Sequence, residues 1–358
     1  MAAQLNVCII GFGISARVFH APFLVNNPFY TWSSVVERSA NNASLLKADI
    51  KTYRSVEAAL EDSTLDLFII TSPNETHYSY AKKILEAGKN VVIEKPFTNT
   101  SGEAKALIKT ANQNQKILSV YQNRRYVSDF LTIKDILNEK LLGEIAEFEG
   151  HYDRYRPEAK PNAWREENKA GSGILYDLGS HLIDQALYLF GLPKNITADI
   201  RLQRPHAKVD DYFDIRLDYG FTKVILESGM LVREPGPRYM IHGTKGSFIK
   251  YGEDPQEAAL RNGEMPGGAD WGKEPASSYG LLHTEKEGVI IKKNIASKPG
   301  NYGQYYSNLY NTIVHNHSLK EKPEHGYNTI RLIELAIQSN KEKRTLPCTE
   351  LINISYHD

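Results

Sequence analysis

The stretch Asn6-Val7-Cys8-Ile9-Ile10-Gly11-Phe12-Gly13-Ile14-Ser15-Ala16 decides the fold. An apolar run enters a glycine turn and then a helical pattern. It reads as a strand over Asn6–Ile10, a turn at Gly11–Gly13 and a helix to about Val25. In Gly11-x-Gly13-x-x-Ala16 the first glycine permits the tight turn and the second lets backbone approach a pyrophosphate. Ala16 is small enough for close helix–strand packing. A helix N-terminus so placed offers unpaired N–H groups and a positive dipole to phosphates. Gly11, Phe12, Gly13, Ile14, Ser15 and Ala16 are therefore expected to hold a dinucleotide. The competing reading is a glycine-rich turn in some other doubly wound fold.

Further along, the apolar runs Trp32–Val36, Leu65–Thr71, Asn90–Glu94 and Ile117–Tyr121 read as strands. They alternate with helical patterns over Glu75–Ala87 and Gly102–Asn112, as in a parallel sheet buried on both faces. The pattern changes after Asn123. A helix over Phe130–Lys140 precedes alternating strands at Glu144–Tyr152, Thr197–Gln203, Phe213–Tyr219 and Lys223–Leu231, with a hairpin at Tyr219-Gly220. Gly252–Asn301 reads as long surface loops with local structure, and Gly326–Asn340 as the last helix. The predicted fold is α/β: an N-terminal Rossmann doubly wound parallel sheet, then a C-terminal α+β domain with a large, mainly antiparallel sheet. The boundary is placed between residues 1–122, the dinucleotide-binding domain, and 123–358, the domain for substrate binding and oligomerisation. A length of 358 residues suits two such domains.

Composition lends other classes no support. Lys plus Arg and Asp plus Glu number 43 each, so no net field favours nucleic acid or an anionic membrane. The apolar run Val7–Ile10 is too short for a signal peptide or a membrane span. Cys8 and Cys348 give no metal-binding spacing, the 11 histidines form no ligand cluster, and a cytoplasmic location with no metal is expected. The 21 tyrosines are read first as sheet and interface residues.

Cofactor choice rests on Val36-Glu37-Arg38-Ser39, at the end of the second strand. A lone acid there holds both ribose hydroxyls and selects NAD. Arg38 and Ser39 instead suit a 2′-phosphate. NADP is the expected cofactor, with Glu37 turned away or paired with Arg38, and NAD stays open. Two further segments carry chemistry. Glu94-Lys95-Pro96 ends the fourth strand, the edge where ligands of open parallel sheets lie, so Lys95 points into the crevice. In Gly171-Ser172-Gly173-Ile174-Leu175-Tyr176-Asp177-Leu178-Gly179-Ser180-His181, Asp177 and His181 are four apart, on one helix face. Such a pair can orient an imidazole for proton transfer. Asp184 is read as a hydrogen-bonding residue and His20 as structural.

These motifs resemble the Gfo/Idh/MocA oxidoreductase family, which is marked by Glu-Lys-Pro and by Gly-Gly-Gly-x-x-x-Asp-x-Gly-x-His. Here Ser172 replaces the middle glycine and every ionisable residue remains. Thr71-Ser72-Pro73-Asn74 with His77, Asn123-Arg124-Arg125 and Trp164-Arg165 are also family-like, so the resemblance runs from Asn6 to about Phe190 and more loosely beyond. It implies that Lys95 stabilises charge on the reacting oxygen. It implies that His181 is the general base or acid, and that Asp177 orients it or binds a neighbouring hydroxyl. Thr71, Ser72, Pro73, Asn74, His77, Glu94, Lys95, Pro96, Trp164 and Arg165 would line the cofactor, with the Lys95–Pro96 bond often cis. Asn123, Tyr152 and Arg154 are candidate substrate contacts beside Lys95, Asp177 and His181. The runs Phe19-His20-Ala21-Pro22 and Tyr251-Gly252-x-Asp254-Pro255-Gln256 are similar to those of NADP-dependent inositol dehydrogenases within the family. That likeness implies interconversion of a cyclic polyol, scyllo-inositol first, and its ketone, while the antiparallel sheet offers a surface for self-association into a homodimer or homotetramer. Other polyol or sugar dehydrogenases share the same motifs, and a non-catalytic dinucleotide-sensing regulator is the alternative of another kind.

Overall fold

The computed structural model describes residues 4–159 and 166–357. Strands β1 (Leu5–Ile10), β2 (Tyr30–Val36), β3 (Lys51–Tyr53), β4 (Leu67–Ile70), β5 (Asn90–Ile93) and β6 (Leu118–Val120) form a six-stranded sheet ordered β3-β2-β1-β4-β5-β6. Its pairings are all parallel. Alternate residues enter opposite cores: Val7, Ile9, Leu67, Ile69 and Val92 on one face, Cys8, Ile10, Phe68, Ile70, Val91 and Ile93 on the other. Burial on both faces is why these strands read as unbroken apolar runs. The order reverses between β1 and β4, and a ligand crevice opens at the carboxyl ends of these strands. Helices α1 (Ala21–Leu24), α2 (Val56–Leu60), α3 (His77–Glu86) and α4 (Ser101–Asn114) connect the strands. In place of an unbroken first helix, a π-helical turn over Ala16–His20 precedes α1, closed by the Ala21 N–H on the Ala16 carbonyl.

After α5 (Ser128–Asn138) the second sheet is built from β7 (Ile145–His151), β8 (Asn195–Arg201), β9 (Tyr212–Asp218), β10 (Lys223–Gly229), β11 (Tyr239–Gly243), β12 (Gly246–Lys250), β13 (Gly280–Lys286), β14 (Val289–Ile295) and β15 (Leu346–Pro347). Its order is β14-β13-β12-β11-β7-β10-β9-β8-β15, with β7 and β10 parallel and the other pairings antiparallel. Helices α6 (Ser180–Phe190), α7 (Gln256–Arg261), α8 (Gly303–His315) and α9 (Pro323–Glu342) complete the fold. The sheet therefore extends through β11–β14, beyond the four strands expected. The segment 252–301, expected as loops, contains α7 and the β13–β14 hairpin. Val289 and Ile290 on β14 are exposed, so that strand lacks the alternation of burial by which a strand is recognised.

The chain then returns to its first sheet. Tyr302, Tyr305, Tyr306, Leu309 and Tyr310, on and before α8, share a core with Val7, Ile9 and Trp32. Ile330, Leu332 and Ile333 of α9 join Phe68 and Val91. Much of the tyrosine content lies in this seam, where Tyr121 meets Tyr305 edge-on at 4.7 Å and Phe23 stacks on Tyr306 at 5.9 Å. Among the described residues, no helix is long and apolar enough to cross a membrane.

Candidate active site

A crevice of about 960 Å³ runs along the β1–β4–β5 strand ends and is walled on its far side by the second sheet. Gly11 starts the turn with φ +84° and donates its N–H to the Val36 carbonyl at 3.0 Å. A Cβ there would press on the Ser72 backbone at 3.2 Å. Nothing lies within 4 Å of a Cβ built at Gly13, so the backbone is bare on the side a pyrophosphate would approach. Phe12 stacks on Trp32 at 5.5 Å, fixing the loop from behind, and Ala16 is fully buried. These features fit a dinucleotide.

At the end of β2, Glu37 is turned inward. Its Oε1 accepts the Asn42 N–H at 2.9 Å and its Oε2 the Ala43 N–H at 3.0 Å. Arg54 staples the same loop, donating to the carbonyls of Glu37 (2.9 Å) and Ala40 (2.7 Å) and to Asn41 Oδ1 (2.8 Å). Arg38 and Ser39 are exposed at the crevice rim. Of the two arrangements expected for Glu37, the structure has it turned away and not paired with Arg38, because backbone amides have taken both carboxylate oxygens.

The β4 and β5 ends are tied to each other and to the second domain. Thr71 Oγ1 donates to the Gly11 carbonyl at 2.7 Å, and Asn74 Nδ2 donates to the Gly171 carbonyl at 2.9 Å. His77 lines the crevice, yet its ring is wedged between two carbonyls, Nδ1 2.9 Å from Pro96 O and Nε2 3.0 Å from Ser72 O. Burial holds its pKa below the ordinary value. Ser15 Oγ donates to Glu94, His20 Nε2 donates to Glu94 Oε1 at 3.0 Å, and the Lys95 N–H donates to Glu94 Oε2 at 3.0 Å. Burial alone would push the Glu94 carboxyl up, but these donors and the Lys95 charge hold it below its usual range. His20 Nδ1 accepts from Tyr306 at 2.7 Å, which joins the phosphate-loop helix to α8. The sequence signalled no partner for this chain of contacts.

The Lys95–Pro96 bond is cis. Lys95 Nζ donates to both the carboxylate (Oδ1, 2.8 Å) and the carbonyl (2.8 Å) of Asp177 across the domain boundary. Asp177 lies in a second π-helical turn, Leu175–Gly179, that leads into α6 and His181. The same-face spacing does not produce an Asp177–His181 hydrogen bond. A cation 2.8 Å away competes for the carboxylate more strongly than a neutral imidazole can. Among the described residues, His181 Nδ1 is buried without a hydrogen-bond partner, which leaves Nε2 as the nitrogen to serve the crevice. Burial, then the charges of Lys95, Arg124 and Arg238, holds the His181 pKa well below its ordinary value.

Of the weaker candidates, Asn123 is buried and lines the crevice, and Tyr152 packs 6.2 Å from the His181 ring. Arg154 pairs with Glu253 Oε1 at 2.5 Å and lies over the Tyr152 ring at 4.7 Å. Sequence reasoning gave no site role to Arg124 and passed over Arg238 and Glu257. Arg238 stacks 3.7 Å from the Tyr152 ring centre, and Arg124 donates to Tyr302 (2.8 Å) and Glu257. Asp184 is a buried partner of Arg125, at 2.8 and 2.7 Å, and not part of the crevice. Trp164 and Arg165 lie outside the described residues.

Comparison with known proteins gives the same picture. Residues 5–122 match the family model "Oxidoreductase family, NAD-binding Rossmann fold", and residues 134–348 match "Oxidoreductase family, C-terminal alpha/beta domain". The chain is 41% identical over 342 residues to scyllo-inositol 2-dehydrogenase (NADP(+)) IolW of Bacillus subtilis, covering 96% of this chain and 95% of that protein. It is 29% identical over 205 residues to levoglucosan dehydrogenase of Pseudarthrobacter phenanthrenivorans, about half of each chain. Among solved structures, the oxidoreductase yvaA of Bacillus subtilis superposes with a TM-score of 0.93 at 40% identity, covering 97% of this chain and 99% of that one. An oxidoreductase of Bacteroides fragilis does so with a TM-score of 0.88 at 42% identity, covering 96% and 99%. With both family models matched in order and relatives aligned over nearly its whole length, the chain belongs to the Gfo/Idh/MocA oxidoreductase family and carries that family's NAD-binding Rossmann domain.

Proposed function

We propose that this oxidoreductase interconverts a cyclic polyol and its ketone with NADP(H), scyllo-inositol and 2-keto inositol being the first candidates. The observation that carries the proposal is Lys95 Nζ, held at 2.8 Å by Asp177 in the same crevice wall as a neutral, buried His181. When bound, the dinucleotide supplies or accepts the hydride. Lys95 stabilises negative charge developing on the substrate oxygen, and Asp177 keeps the ammonium aimed. His181, neutral at physiological pH, takes the hydroxyl proton in oxidation and returns it in reduction, through Nε2. Asn123 and Tyr152 bind further hydroxyls.

Substrate charge is addressed by the ion pairs. Among the described residues, the cations acting on His181 each have an acid beside them: Lys95 with Asp177, Arg124 with Glu257, and Arg238 with Asp129 at 3.7 Å; Arg154 pairs likewise with Glu253. A wall so neutralised favours an uncharged, hydroxyl-rich ligand over an acid. The inward turn of Glu37 and the exposed Arg38 and Ser39 support NADP over NAD. The likeness to the NADP-dependent scyllo-inositol dehydrogenase supports both choices. Residues 1–122 as the dinucleotide domain, 123–358 as the substrate and oligomerisation domain, a homodimer or homotetramer, and a cytoplasmic location belong to the same proposal.

The test is steady-state oxidation of an inositol and aldose panel with NADP⁺ and NAD⁺. The proposal expects scyllo-inositol to give the highest kcat/KM, with NADP⁺ preferred. A better aldose would move the substrate within the family, and no turnover of any polyol would favour a dinucleotide-sensing regulator.

A further inference from the structure

The helix that carries His181 has no N-terminal cap of its own. Ile174, at the cap position of the π-helical turn Leu175–Gly179, makes no side-chain cap hydrogen bond, and neither does Gly179 before α6. The first N–H groups of such a helix need acceptors from elsewhere. One residue supplies them. Asp210 Oδ2 accepts the Leu175 N–H at 2.7 Å, and the Asp210 carbonyl accepts the Ile174 N–H at 3.1 Å. Asp210 follows β8 in sequence and precedes β9, so this cap reaches the helix from 35 residues away.

The surroundings are built for that contact. Gly173 has φ +88°, and a Cβ on it would collide with Asp210 Oδ1, so only glycine allows the carboxylate this close. Behind Asp210, the buried Asp211 is locked by Arg204 Nε at 2.9 Å and by the N–H groups of Gln203 (2.6 Å) and Arg204 (2.9 Å). Asp211 also receives the Met230 N–H on its carbonyl at 3.0 Å. Asp210 therefore stands on a rigid post. It borders the same crevice as Ile174, Asp177 and His181.

We infer that Asp210 is a positioning residue: its carboxylate pins the first turn of the catalytic helix to the β8–β9 connection, and so fixes Asp177 against Lys95 and His181 against the substrate. The inference rests on the proposed roles of Lys95 and His181 for its kinetic consequence, but not for its structural one. A carboxylate at a helix N-terminus also meets the positive end of the helix dipole. Because displacement of a catalytic group by about 1 Å can cost roughly 10²-fold in rate, loss of the cap should appear in kcat and not in cofactor affinity.

The experiment compares Asp210→Ala and Asp210→Asn with the unmodified chain. Hydrogen exchange of the cofactor-free protein reads the cap directly. In Asp210→Ala the Leu175 amide is expected to exchange at least tenfold faster, whereas Asp210→Asn, which keeps an oxygen acceptor, changes it less than threefold. With the substrate found by the panel, Asp210→Ala is expected to lower kcat by about 10–100-fold with NADPH affinity, measured by fluorescence titration, within twofold. Asp210→Asn should recover most of that kcat. Unchanged Leu175 exchange in Asp210→Ala, or equal kcat losses in the two variants, would overturn the inference. If the alanine variant does not fold, Asp210→Asn and Asp210→Ser carry the same comparison. Failure of every polyol to turn over would strike the proposed function alone, since the exchange result stands without substrate.

Discussion

Substituting Glu37 should not make the enzyme more selective for NADPH, although an acid at the end of β2 is ordinarily the residue that selects NAD. Both carboxylate oxygens already accept backbone N–H groups, from Asn42 at 2.9 Å and Ala43 at 3.0 Å, and the residue is buried. It caps the short 3₁₀ helix Asn42–Leu45 and is not free to meet a ribose. Glu37→Ala thus removes a helix cap, which costs about 0.5–2 kcal/mol. For a chain of this length that is a fall in Tm of roughly 1–3 °C. The loop bearing Arg38 should loosen, so kcat/KM for NADPH falls while that for NADH barely moves. Arg38→Ala removes the exposed guanidinium itself. A hydrogen bond between charged partners contributes about 1.5–3 kcal/mol, and solvent exposure places this one near 1–2, a factor of roughly 5–30 in kcat/KM for NADPH. The assay is kcat/KM with each cofactor for both variants, alongside thermal unfolding. A Glu37→Ala variant whose NADPH/NADH ratio rises more than threefold would refute the reasoning, because the acid would then be contacting ribose. An unchanged ratio in Arg38→Ala would refute the phosphate contact.

Three other outcomes are expected. Lys95→Met should lower kcat by about 10²–10³, as loss of a donor at a developing oxyanion does, and stopped-flow mixing with NADPH should show binding largely retained. His181 is depressed by burial, so the unfolded chain binds a proton near pH 6.5 that the folded chain refuses, and the His181 contribution to stability rises with pH through this window. Urea melts should show the unmodified protein losing up to about 1 kcal/mol relative to His181→Gln between pH 6.5 and 5.5, and parallel pH trends would contradict this. Asp184→Ala removes the bidentate partner of a buried Arg125, only 3% exposed, leaves it Glu321 at 3.9 Å, and should destabilise by about 3 kcal/mol in the same melts.

The local motifs were legible because their chemistry is local. Gly11 needs its positive φ, Gly13 its bare backbone, and Lys95 its place at a strand end, whatever the rest of the chain does. What could not be read are choices made between distant segments. The four-residue spacing of Asp177 and His181 suggested a partnership, yet Lys95, 82 residues earlier, takes the carboxylate. Glu37, which the sequence set against Arg38, is drawn inward by two amides of the next turn, a contact no spacing rule contains. Arg124 and Glu257 reach the crevice, and Arg238 stacks on its Tyr152 wall, only because the second domain and α7 close over it. The same holds for the fold. β14 was missed because Val289 and Ile290 face solvent, and α8 because its tyrosines are weak helix formers whose burial against β1 and β2 outweighs their propensity.

The central claim is that His181 moves the proton while the Rossmann domain holds the cofactor, and single-turnover reduction of 2-keto inositol by His181→Ala tests it most directly. The account predicts a hydride-transfer rate lower by about 10²–10⁴ with NADPH affinity within twofold of the unmodified enzyme. A rate within threefold of the unmodified enzyme would contradict it.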